Sequence, residues 1–141
     1  DTFDNFSFIE GEITTFNKFT ISGFLQEDFF DEKPEETYSR WNKIRDFCFQ
    51  IIRGKRTPLG FKIVLALPED QIPHFLTAHG LTGYRPEEIR GLYLNFHYDG
   101  HHLQCITGTS LNTFTMDKSI EREWDQEVKN ILKSRSIEGD Y

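Results

Sequence analysis

Apolar positions along the chain recur in two rhythms, every second residue and every third or fourth, and each rhythm predicts an element. Two strands open the chain. Phe6-Ser7-Phe8-Ile9 and Glu12-Ile13-Thr14-Thr15-Phe16 are rich in aromatic and β-branched residues, with Gly11 between them as a bulge or bend. Asn17-Lys18 marks a hairpin turn into a second strand, where Phe19, Ile21, Gly23 and Leu25 alternate with Thr20, Ser22 and Phe24. From Pro34 the rhythm changes. Tyr38, Trp41, Ile44, Phe47/Cys48 and Ile51/Ile52 step by three and four, which predicts an amphipathic helix of about five turns ended by Gly54. Leu59 to Leu67 is apolar on both faces, as a central strand is. A short helix follows from near Asp70 to Gly80, with Ile72, Phe75, Leu76 and His79 along one side and Pro73 in its first turn.

Tyr93 to Tyr98 and His101 to Ile106 flank Asp99-Gly100, a tight-hairpin signal. A two-residue loop sets Tyr98 opposite His101, His97 opposite His102, Phe96 opposite Leu103 and Leu94 opposite Cys105. Leu94, Phe96, Leu103 and Cys105 then form a core face. Tyr93, Asn95, His97, His102, Gln104 and Ile106 form a mixed, wettable one. Asp117 caps a last helix whose stripe is Ile120, Trp124, Val128 and Ile131/Leu132. The resulting order is ββαβαββα. It predicts a single α+β domain over residues 1–141, a two-layer sandwich with a largely antiparallel sheet and three helices on one face. Because Asp1 is not Met, the reading allows for a missing N-terminal stretch.

Composition refines this picture. The aromatic share is 15%, led by fourteen Phe, against two Ala and two Val. Each buried aromatic removes ~150–250 Å² from water, so a modest apolar fraction still builds a core. Sixteen Lys and Arg against 23 Asp and Glu leave a net charge of −7. That sign disfavours nucleic acid as a partner, because phosphate neutralisation supplies most non-specific affinity. The longest apolar run, Ile63 to Leu67, has strand length and predicts no membrane span. Cys48 and Cys105 fall on apolar faces of separate elements, which favours reduced thiols and a cytoplasmic setting over a disulfide.

Several stretches together resemble a domain-of-unknown-function family of small Gram-positive bacterial proteins. They are Glu12 to Asn17, Tyr38-Ser39-Arg40-Trp41, Gly54 to Pro58, Phe61-Lys62-Ile63-Val64, Tyr98-Asp99-Gly100, and Thr107 to Ser110 leading into Phe114-Thr115. The resemblance covers nearly the whole chain. It implies a small cytoplasmic bacterial protein and supplies no activity, cofactor or catalytic residue.

Candidate chemistry is sparse. His97 and His102, opposed at ~4.5–5.5 Å between Cβ atoms, would suit two metal ligands. No third ligand shares their face, so no metal or cofactor is assigned. Arg53, Lys55, Arg56 and Lys62 form a basic cluster that would take an anion or nucleotide. Gly54-Lys55-Arg56-Thr57 lacks the upstream glycine of a phosphate loop, and cations at a helix C-terminus also serve its dipole. Thr107-Gly108-Thr109-Ser110 offers hydroxyls with no positioned base. Glu10 and Glu12 share a strand face ~6.5–7 Å apart, a spacing that carboxylate pairs use and that exposed strands show anyway. The six acids between Glu27 and Glu36 read as a solvated loop.

The strongest candidate is the second sheet face, where Lys62, Val64 and Ala66 would adjoin Tyr93, Asn95, His97, Gln104 and Ile106. It fits a non-enzymatic interaction domain that forms a homodimer or binds a protein partner. The alternatives are an anion-binding module at Arg53/Lys55/Arg56 and a metal-assisted or hydrolytic enzyme using His97 and His102.

Overall fold

A computed structural model describes residues 3–15, 17–32, 36–52, 59–81, 83–113, 115 and 117–134. Its elements are β1 (Ser7–Thr14), β2 (Lys18–Ser22), α1 (Trp41–Ile52), β3 (Gly60–Ala66), α2 (Ile72–Ala78), β4 (Ile89–Tyr98), β5 (Leu103–Leu111) and α3 (Ser119–Ser134). Short 3-10 turns stand at Glu27–Phe29, Glu69–Gln71 and Pro86–Glu88. The strands form an open antiparallel sheet in the order β2-β1-β3-β4-β5. The fold is α+β, and the order ββαβαββα is the one the hydrophobic rhythm predicts.

The chain packs as two units, residues 3–66 with 94–106, and residues 67–93 with 107 onward. In the first unit β1 pairs with β2 on one side (Glu12↔Thr20, Thr14↔Lys18) and with β3 on the other (Glu12↔Lys62, Gly11↔Ile63). The register shifts between Phe8 and Glu10, so Ile9 is the extra residue of a bulge. This explains how Phe8, Gly11 and Ile13 all point inward although they are not evenly spaced. The bulge therefore sits two residues before Gly11. Gly11 has its own reason to be glycine, since a Cβ there would lie 3.1 Å from the Phe8 ring. Phe8, Ile13, Ile63, Leu65, Leu94 and Cys48 of α1 make the core, and α1 lies against β1.

The first helix is shorter than its periodicity predicts. It starts at Trp41 and runs 12 residues. Residues 37–40 serve another purpose. Tyr38 bridges Phe24, Arg40 bridges Ser7, the Phe8 N–H donates to the Ser39 carbonyl at 2.7 Å, and the Ser39 N–H donates to the Gly23 carbonyl at 2.8 Å. This extended ribbon satisfies backbone groups beside β1 that helix formation would leave open. Phe47, assigned to the core stripe, is 55% exposed, while Cys48 beside it is fully buried. The proposed helix end at Gly54 lies outside the described residues, as does Pro34.

In the second unit, Ile72, Phe75 and Leu76 of α2, Ile89 and Leu92 of β4, and Ile120, Trp124, Val128 and Leu132 of α3 are buried. Pro73 occupies the first turn of α2, and Gly80, at φ +67°, follows its end. The Trp124 ring meets Phe75 edge-on at 5.7 Å, and its Nε1–H donates to the Tyr93 carbonyl at 3.0 Å. The Asp117 carboxylate accepts from the backbone N–H of Ser119 at 2.9 Å at the head of α3, and the Tyr84 hydroxyl donates to it at 2.7 Å. Hydrogen bonds from Ser119 and Tyr84 hold the Asp117 carboxyl down at about 2.

Candidate functional site

Strand alternation in the first unit sends Glu10, Glu12 and Thr14 of β1 to the face opposite Phe8 and Ile13. The paired registers add Thr20 and Ser22 of β2 and Lys62 and Val64 of β3. In β4 the buried Leu94 points inward, so Asn95 and His97 point outward. The Asn95 side-chain amide donates to the Ile106 carbonyl at 3.2 Å, which fixes β5 beside it. Gln104 and Ile106 are exposed, Ile106 by 54%.

Two shallow depressions mark this face. One, of about 400 Å³, is lined by Glu10, Gly11, Glu12, Thr20, Ile21, Ser22, Lys62 and Val64. The other, of about 230 Å³, is lined by Glu12, Thr14, Leu59, Gly60, Phe61, Lys62, His97, Tyr98 and Asp99. Glu12 and Lys62 are common to both. Lys18 Nζ lies 3.3 Å from Glu12 Oε1. Among the described residues, the Glu10 carboxylate and the Lys62 ammonium have no hydrogen-bond or ion-pair partner.

The hairpin that organises β4 and β5 differs from the expected one. β4 ends at Tyr98 and β5 starts at Leu103. The Asp99 N–H donates to the His102 carbonyl at 3.3 Å, so Asp99 faces His102 and the apex is Gly100-His101. His97 is therefore not opposite His102, and the imidazole pair proposed from the sequence is not formed directly across the strands. The cause is the Asp99 side chain. Its Oδ1 accepts the N–H groups of both His101 and His102 at 2.8 Å, which makes Asp99 the turn's first residue. Gly100 takes the positive φ, +97°. Those N–H groups, His102 first, hold the Asp99 carboxyl below the usual carboxylate range. A slip of one pair keeps the faces, so Asn95, His97, Gln104 and Ile106 remain together while His102 moves to the turn.

The other candidates separate. Ala66 is buried. Tyr93 belongs to the second unit, where its ring lies over Gly91. Arg53, Lys55 and Arg56 lie outside the described residues, and Lys62 is on the outer sheet face. Thr107 to Ser110 run within β5, and the Thr107 hydroxyl donates to the Asp125 carboxylate. No group of three or more His, Cys, Asp or Glu suited to a metal occurs among the described residues. Cys48 and Cys105 are free thiols, each pushed up to about 11 by burial.

One cluster was not anticipated. His79, just past α2, has Nδ1 2.8 Å from Glu123 Oε2 and Nε2 2.7 Å from Glu127 Oε2. Its ring lies 4.6 Å from that of Phe75. Ionised carboxylates only accept, so this arrangement favours a proton on both ring nitrogens, the cationic form of the imidazole. Burial acts against the charge. The hydrogen bonds and charges of Glu123 and Glu127 outweigh it and hold His79 above its ordinary value. With both nitrogens committed, His79 clasps α2 to α3 and offers no free base. The sequence signal was the i, i+4 spacing of Glu123 and Glu127, which places both on one helix face.

A family model described as a family of unknown function, DUF5721, matches residues 1–140. The chain belongs to this family. The resemblance seen in the sequence is thus to a family without an assigned activity, and DUF5721 membership brings no catalytic residue to this chain. Comparison with curated proteins and with solved structures gives no match. No helix among the described residues of this DUF5721 member is long and apolar enough to cross a membrane.

Proposed function

We propose that the protein is a non-enzymatic interaction domain that docks a partner on the outer sheet face of its first unit. The observation that carries this reading is the unpaired Glu10 carboxylate and Lys62 ammonium beside two depressions that share residues. Opposite charges left without protein partners on one surface are available to a complementary surface, and exposed Ile106 adds apolar area at its margin. Both depressions are shallow and open to solvent, whereas catalytic stabilisation relies on preorganised groups in a water-excluded site. The reading includes a bacterial, cytoplasmic setting, in line with the family resemblance and with two free thiols that burial keeps protonated.

Site-specific photo-cross-linking tests the docking. A photoreactive residue at Gln104, on the face, is compared with one at Lys129, exposed on α3. Discrete adducts from Gln104, whether of twice the chain mass or of another mass, with none from Lys129, are expected. Equal labelling at both positions, or none at Gln104, would refute the docking face.

A further inference from the structure

We infer that the occupant of this face is a second copy of the chain, held by reciprocal Glu10–Lys62 pairs. The inference rests on the docking reading above and adds the identity of the partner. Two copies of a chain with net charge −7 repel one another over most of their surface. The outer face is an exception. Glu10 and Glu12 are balanced there by Lys18 and Lys62, so two such faces approach without net repulsion. The same balance disfavours strongly acidic and strongly basic partners alike.

The geometry suits a two-fold contact. In an isologous interface residue i touches residue j, and j touches i. Glu10 stands opposite Val64, and Lys62 lies two residues along the same strand. A diagonal of this kind spans ~7–8 Å between strands. A two-fold axis near Val64 therefore sets each Lys62 against the other copy's Glu10 while Val64 packs on itself. Both unpaired charges are then satisfied twice by one rotation. Glu12 is already engaged by Lys18 at 3.3 Å, which leaves Lys62 free to reach across. The polar character of the face makes the dimer reversible and salt-sensitive, since exposed ion pairs are screened.

Charge reversal tests the pairing by sedimentation equilibrium on the full chain. The unaltered protein is expected to dimerise reversibly and to dissociate as salt is raised. Lys62→Glu and Glu10→Lys each place like charges together twice, and each should raise the dimer dissociation constant by about tenfold or more. The double variant Glu10→Lys/Lys62→Glu restores opposite charges and should recover most of the affinity. Both residues are on the exposed face, so unchanged melting temperatures check the fold. A strict monomer at all concentrations overturns the inference, as does a dimer indifferent to the single reversals or a double variant no tighter than they are. Cross-links from Gln104 to a different protein, with no dimer, would leave the docking face standing and remove the second copy.

Discussion

At the scale of single residues, the clasp at His79 makes stability depend on pH. The native imidazole titrates above its ordinary value of 6.5 because Glu123 and Glu127 favour the charged form. A group with a raised native pKa contributes fully below its unfolded value and loses that contribution as pH climbs through the native one. Urea unfolding should therefore show stability falling across the range above 6.5. His79→Gln should flatten this dependence and, on the acid side, cost about 1–2 kcal/mol, below the full value of charge-assisted bonds because both carboxylates are more than a third open to water. A His79→Gln chain with the same pH profile as the parent would refute the clasp. The sequence placed His79 on the inner side of α2 but not its partners, because the pairing spans 44 and 48 residues and depends on how α2 meets α3. Asp99 teaches a related lesson. The Asp-Gly pair located the hairpin, but a carboxylate that accepts two backbone N–H groups moved its apex by one residue.

At the scale of elements, periodicity was a good guide wherever an element buries its own stripe. Ile120, Trp124 and Val128 of α3 are each 3% exposed or less, on the side their spacing predicts. Trp124→Ala should destabilise the protein by about 3–5 kcal/mol, from lost burial and the remaining cavity. Trp124→Phe keeps most of the area but strands the Tyr93 carbonyl and should cost about 1–3 kcal/mol. Denaturant unfolding of the two variants separates packing from hydrogen bonding, and a Trp124→Phe chain as stable as the parent would refute the role given to the indole N–H. Periodicity misled at α1. Tyr38 fits the helical stripe, but the backbone of residues 37–40 is claimed by β1 and Gly23. Local rhythm does not report such long-range backbone demands.

At the scale of the whole molecule, the element order and the α+β class could be read from the chain, because hairpins at both ends and an apolar central strand constrain how it pairs. Strand order was not legible. That β1 lies between β2 and β3 follows from which edges meet after collapse, and it is this arrangement that gathers Glu10, Glu12 and Lys62. Spacing marks Glu10 and Glu12 as a pair, and alternation puts Lys62 on the second sheet face as well as beside the basic loop before it, but neither shows that β1 and β3 adjoin. The bulge at Ile9 bears on how the chain tolerates change in length. At that point β1 carries one residue more than β3 needs. A chain lacking Ile9 would lose the bond from the Gly23 N–H to the Ile9 carbonyl, yet keep Phe8 inward and Glu10 outward. Removing Gly11 or Glu12 instead would use up the spare residue to keep Phe8 inward and would turn the Glu10 carboxylate to the core. Shortened chains compared by circular dichroism should fold in the first case and fail in the second, so the slack in the length of β1 sits at Ile9.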